Sequence, residues 1–431
     1  MLKALGNAWS VPELRRKLLF TFGIIALYRL GCHVPLPGVN REAIENGLDT
    51  SGNAITGLFG VFTGGAFNNL SIFALGIMPY ITASIVMQLM TVAIPRLQEL
   101  AKEGETGQQK ITQYTRYFTL VLAAIQSLAM VLFFRNGSVF PGVLTEATVI
   151  DLYLIWLTLT TGTMLIMWLG ELISQRGLGN GISLIISAAI LSRAPSAVQT
   201  LYEGGDVLTV VILGVLAVVI IAAIVFVNEG QRRIPITYAK RQVGRRMSQG
   251  GTTYLPLKVN MAGVIPIIFA SSLLIFPVIL SQFAGGDPGS VMARIANFFN
   301  PGDPPYLVLY ALLVLMFTYF YTAVQFNPIE QADNLKKSGG YIPGIRPGQP
   351  TAVYLNNVLT RITLFGAIFL ATVAVLPYLI ASGLNLGNTL FLGGTSILIV
   401  VGVSLDTVRQ LESQLMMRNY EGFLKGRRQQ R

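Results

Sequence analysis

Cys32 and His33 stand side by side and are the only cysteine and the only histidine in 431 residues. Such a pair could begin a metal or redox site, but two neighbouring ligands do not complete one. One cysteine permits neither an intrachain disulfide nor a thiolate cluster. The metalloprotease pattern H-E-x-x-H is impossible with one histidine, and a serine nucleophile would lack its base. The acids Asp49, Asp206, Asp287 and Asp303 lie in connections between apolar runs, as does Asp333, while Asp151 and Asp406 sit at the ends of such runs. No two carboxylates are placed to meet inside an apolar run, as an intramembrane aspartyl protease needs. Gly177-Leu-Gly-Asn-Gly181 resembles a phosphate loop only superficially, because no lysine follows the last glycine and an apolar run precedes it. It reads as a tight turn. No enzyme, metal or cofactor is expected.

What must be positioned is therefore a set of apolar segments. The chain is 52% hydrophobic and only 12% charged, with a mean hydropathy of +0.60. A soluble chain carries roughly twice that charge fraction. Runs long enough to span a membrane fall near 18–34, 76–95, 117–134, 151–173, 181–201, 207–228, 261–283, 305–326, 359–380 and 391–407. The fold expected is an all-α polytopic membrane protein with ten transmembrane helices. Met1 to Lys17 is mixed in polarity and no A-x-A site follows the first run, so that run is expected to stay as a span. The fifth run contains Arg193 and Pro195 and is amphipathic in its second half; charge placement requires it as a span.

With the N-terminus inside and strict alternation, lysine and arginine in inner connections outnumber those in outer ones by about eight to one, the asymmetry that sets membrane orientation. Only Arg41, Arg135 and Arg294 fall outside, and both termini are cytoplasmic. The formal charge of +11 is thereby explained without a nucleic-acid substrate. The first outer connection holds a short apolar stretch, Ile55 to Phe62, followed by Gly64 and Gly65. It is too short to span, and reads either as a re-entrant segment over a cavity or as a helix on the outer surface. Two inner loops, 229–259 and 328–353, are long, basic and rich in Gly and Pro, giving ordered turns and a surface suited to an anionic partner. Five spans plus five also fits carrier repeats. The nearly uncharged span interiors argue against a proton-coupled carrier and leave a secondary transporter of a neutral solute as the alternative.

Longer motifs narrow the choice. They are SIFALGIMPYITAS at Ser71 to Ser84, the Glu103-Gly-Glu-x-Gly107 loop, and Trp168-Leu-Gly-Glu171 leading into Gly177 to Ser183. QRRIPITYAK at Gln231 to Lys240, Gly244-Arg-Arg246, LPLKVNMAGVIP at Leu255 to Pro266, GYIPGIRPG at Gly340 to Gly348 and Gly393-Gly-Thr-Ser396 complete the set. In this order, from the first span to the C-terminal tail, they resemble the SecY family of bacterial protein-translocation channels.

The resemblance implies two pseudo-symmetric five-helix halves around a central pore. Residues 1–201 would form the first half and 202–412 the second, with 413–431 a cytoplasmic basic tail. A plug at about 53–69 would carry Ile55, Leu58, Phe59, Val61, Phe62, Gly64 and Gly65. The pore ring would be Ile77, Ile81, Ile182, Ile186, Ile268 and Ile399, each by itself an ordinary membrane isoleucine. Thr82 and Phe276 would face a lateral gate between the second–third and seventh–eighth spans. Lys240, Arg241, Arg245, Arg246 and Arg346 would dock the SecA motor and the ribosome. The implied function is a channel that passes unfolded preproteins across the bacterial cytoplasmic membrane, recognises signal sequences and releases transmembrane segments into lipid. SecE and SecG are the implied partner subunits.

Overall fold

The computed structural model describes residues 9, 11–39, 60, 63–135, 148–204, 207–238, 241–243, 246–248, 251–283, 298–299, 303–383 and 394–428. Its longer helices are α1 (Pro12–Gly31), α2 (Met78–Ala93), α4 (Glu105–Arg135), α5 (Val149–Arg176), α6 (Gly181–Gly204), α7 (Val207–Glu229), α8 (Ile265–Phe283), α9 (Pro304–Gln325), α11 (Gln349–Gly383) and α12 (Gly394–Arg428). Two short helices, α3 (Pro95–Lys102) and α10 (Pro328–Lys337), and five strands complete the elements: β1 (Gln231–Tyr238), β2 (Arg241–Val243), β3 (Arg246–Ser248), β4 (Thr252–Lys258) and β5 (Gly340–Tyr341).

Each of the ten expected apolar runs falls on a helix. By length and composition alone, five of the described helices suffice to cross a membrane, or six if the bent pair α2–α3 counts as one. That pair breaks by 98° at Ile94, whose extended backbone is what a residue before proline prefers. Burial follows helical spacing. On α1 the buried face is Leu14, Thr21, Ile24 and Tyr28, while Phe22, Leu27 and Leu30 are exposed. On α7, Leu213, Ile220 and Ile224 are buried, while Val215, Val218 and Phe226 are exposed. Outward-facing apolar residues in such numbers belong against lipid.

The expectation of an all-helical chain needs correction. The inner loop 229–259 forms strands, in which β1 pairs antiparallel with β4 from Gln231↔Lys258 to Thr237↔Thr252. The period-2 pattern explains it: Ile234 and Ile236 point inward and their neighbours outward. Pro235 is tolerated because β5 reaches β1 only at Thr237 and Tyr238, leaving the strand an edge at the proline. Ile234, Leu257, Phe326, Ile342, Leu355 and Leu359 form a small core under this sheet, separate from the main one. α12 runs unbroken past 412, and Leu411 packs on Leu14 and Leu178.

Candidate functional site

Two helices start at tight turns that present isoleucines to the same space. α2 begins one residue after Ile77, and Ile81 lies one turn on, its N–H donating to the Ile77 carbonyl at 3.1 Å. α6 begins after the 177–180 turn. There Gly179 adopts φ +86°, and Asn180 Oδ1 accepts from the Ile182 and Ser183 N–H groups at 3.1 and 3.3 Å. The glycine run read as a turn from sequence is therefore a helix start. A methyl at Gly181 would collide with the Gly170 carbonyl, so glycine permits α5 and α6 to approach closely.

A cavity of about 260 Å³ opens between α2, α4, α6, α8 and α9, and Ile81, Ile182, Ile186 and Ile268 all line it. Its other walls include Gln88, Gln108 and Asn180. Gln88 Oε1 is a buried acceptor with no hydrogen-bond partner among the described residues. Ile77 and Ile399 do not line the cavity. They are 4% and 0% exposed and belong to the same apolar cluster as Ile81, Ile186 and Ile268, with Ile182 packed against it. The same cluster also contains Ala66, Phe67 and Leu70 of the irregular segment 63–77. A cavity with both apolar and polar walls thus adjoins a buried apolar cluster that includes part of a non-helical segment.

The flanking residues divide. Thr82 is half-buried, and its hydroxyl donates to the Met78 carbonyl of its own helix at 3.1 Å. Phe276 lies on α8, with its side chain outside the described residues. α8 packs on both α2 and α4, and Ser272 Oγ donates weakly to Met78 Sδ at 3.9 Å across the α2–α8 seam. Of the plug candidates, Ile55, Leu58, Phe59, Val61 and Phe62 lie outside the described residues, whereas Gly64 and Gly65 are described, with φ +65° and +87°.

Arg241 and Arg246 sit on the β2–β3 ribbon; Lys240 and Arg245 lie outside the described residues. Arg346 is exposed, between Gly344 and Gly348, both at positive φ. Pairing of β1 with β5 at Thr237↔Tyr341 and Tyr238↔Gly340 makes one surface of the two inner loops, a connection that sequence spacing gave no sign of. Sequence reading also missed the Arg116–Glu171 pair. There Nε donates to Oε1 at 2.8 Å and Nη2 to Oε2 at 2.6 Å, tying α4 to α5 beside the cavity. Cys32 is buried, and His33 Nδ1 lies 2.9 Å from the Arg29 carbonyl. Among the described residues no three His, Cys, Asp or Glu side chains converge on a metal-sized site.

A family profile described as SecY matches residues 71–408. The chain belongs to the SecY family. A protein translocase subunit SecY of Streptomyces scabiei is 47% identical over 437 residues, covering 99% of this chain and 100% of that one. The corresponding subunit of Mycobacterium tuberculosis H37Rv is 49% identical over 444 residues, again covering 99% of this chain and all of its own. Among solved structures, a protein-conducting channel matches with TM-score 0.62 at 17% identity, over 92% of this chain and 91% of that one. Sec61 from the canine ribosome–channel complex matches with TM-score 0.59 at 17% identity, over the same shares. At these identities the structural likeness speaks for the fold. The SecY chain is a multi-pass membrane protein, and these matches give the solute-carrier alternative no support.

Proposed function

We propose that this SecY-family chain is a protein-conducting channel. It passes unfolded secretory polypeptides across the bacterial cytoplasmic membrane and lets transmembrane segments leave sideways into lipid. The observation that carries the reading is the shared wall of one cavity: Ile81, Ile182, Ile186 and Ile268 arrive from three helices far apart in sequence, backed by an apolar layer containing Ile77 and Ile399. A narrow apolar collar resists hydration, so ions meet a dewetting barrier. Isoleucine offers a passing chain a compliant wall without hydrogen bonds to hold it.

On this reading ten helices cross the membrane as two five-helix halves, 1–201 and 202–412, with both termini cytoplasmic. The plug, about 53–69, fills the outer side of the constriction. The lateral gate lies between the second and third spans, α2 and α4, and the seventh and eighth, α8 and α9, with Thr82 and Phe276 facing it. The weak Ser272–Met78 contact suits a seam that must part. A signal helix exposed to lipid there gains roughly 0.3–0.6 kcal/mol per Leu or Ile, and a central charge costs about 3 kcal/mol. The joined inner surface, with Lys240, Arg241, Arg245, Arg246 and Arg346, docks the SecA motor and the ribosome; SecE and SecG complete the complex. The chain performs no bond chemistry, so a motor, translation or the membrane potential supplies the energy.

The test is reconstitution in liposomes with SecE, SecG and SecA. Passage of an unfolded presecretory protein is expected. Uptake of a small neutral solute by the chain alone, without protein passage, would favour a carrier.

A further inference from the structure

The segment 63–77 is held at its start by donors that converge on consecutive backbone carbonyls. From α1, Arg29 Nη1 donates to the Gly64 carbonyl at 2.6 Å, and Tyr28 Oη donates to the Thr63 carbonyl at 3.2 Å. On the opposite side stands α6. Gly64, at φ +65°, packs so closely on Ala189 that a methyl there would sit 3.0 Å from the Ala189 Cα. One turn further along α6, a methyl at Gly60 would collide with Arg193 Nη1. The same methyl would lie 3.2 Å from Asn68 Oδ1, a buried acceptor with no hydrogen-bond partner among the described residues. The Gly60 carbonyl itself accepts from Gly65 N–H at 2.9 Å, closing the loop between the two grips.

Neither arginine forms an ion pair among the described residues, and each carries its charge near the other. A guanidinium partly removed from water needs acceptors. For Arg29 the acceptor is a backbone oxygen of the segment, the Gly64 carbonyl, so that bond does not depend on the side chain at 64. Charge-assisted hydrogen bonds are roughly twice as strong as neutral ones, so the Arg29–Gly64 bond outweighs the neutral Tyr28–Thr63 bond beside it.

We propose that Arg29 is a positioning residue that latches the foot of the plug to the first helix, with Arg193 on α6 as a second strut against Gly60. The proposal rests on the plug reading above. Thr63 and Gly64 are the foot that the α1 donors hold; displacement of the plug requires the Arg29 bond to break. Weakening that bond favours the displaced state.

The experiment measures resting ion conductance in planar bilayers and export of a precursor with a defective signal, with thermal stability followed in parallel. Arg29→Gln is expected to raise resting conductance by roughly tenfold or more, the population shift that corresponds to a lost hydrogen bond to a charged group, and to admit the defective precursor. Arg29→Lys, which keeps a charged donor, restores most of the seal. Arg193→Gln gives the same phenotype more weakly. In a chain lacking residues 53–69, and with them the Gly64 carbonyl, the latch has nothing to hold, so adding Arg29→Gln causes no further leak. An ion-tight but destabilised Arg29→Gln variant overturns the latch, as does an equal added leak in the deletion background. If the deletion alone stays ion-tight, the plug reading fails and the latch falls with it.

Discussion

The isoleucine layer and the cytoplasmic sheet are built in opposite ways. The layer draws its buried isoleucines from α2, α6, α8 and α12, which are far apart in sequence. The sheet draws most of its residues from one stretch, 231–258, and shows basic side chains over a core of six buried apolar residues. On the proposed reading the layer is a seal that must exclude water and ions while letting any sequence pass, so it needs uniform apolar surface from several sides. On the proposed reading the sheet surface docks anionic partners, so it needs concentrated charge on a firm support. Because the two clusters of buried residues are separate, each should be open to damage without the other.

Arg346→Glu is the strongest way to probe that separation from the cytoplasmic side. Arg346 is exposed on the joined surface, and reversing its charge should reduce SecA-driven translocation at least tenfold, roughly the loss of one charged hydrogen bond. Membrane insertion and resting conductance should be unchanged; a leak in this variant would tie the two regions together. Next in size, Leu257→Ala empties a fully buried site under the sheet and should cost about 2–5 kcal/mol locally. Limited proteolysis should then cleave within 231–258 while bilayer conductance stays at the wild-type level. Smaller again is the pair beside the cavity. Arg116→Gln leaves Glu171, whose side chain is only 13% exposed, without its partner. This should lower stability by about 1–3 kcal/mol, reduced to the extent that the half-exposed arginine is solvated. Arg116→Gln with Glu171→Gln should recover part of that loss in a thermal melt. A double variant worse than the single would remove the pair as the cause. Smallest, and dependent on salt, is Arg245→Glu with Arg246→Glu: ribosome affinity should fall, most clearly at low ionic strength, where surface charge is least screened.

Apolar periodicity and charge asymmetry made the helices legible, even α6 with its internal Pro195, because lipid imposes one solution on a run of twenty apolar residues. The basic inner loops were legible as a surface but not as a sheet. The alternation of Ile234 and Ile236 is short, and Pro235 and Pro256 mask it. Single isoleucines in a membrane helix carry no mark of function. The i, i+4 spacing of Ile77 with Ile81, and of Ile182 with Ile186, places each pair on one helix face, but only tertiary packing brings Ile81, Ile182 and Ile186 to one cavity with Ile268. Arg29 was visible as a charge near a span end. Its partner is a backbone carbonyl 35 residues away, and no residue type encodes a carbonyl.

The central claim, that six isoleucines share the work of a seal, is tested most directly by replacing Ile81, Ile182, Ile186 and Ile268 together with Ser. Planar-bilayer conductance is then measured beside thermal stability, with the corresponding Leu and Val variants as controls. A seal made by apolar surface predicts that the Ser variant leaks ions in its resting state, and leaks more when 53–69 is also deleted, while the Leu and Val variants stay tight. A Ser variant that melts earlier yet remains ion-tight would show that these residues only pack helices together, and would contradict the account.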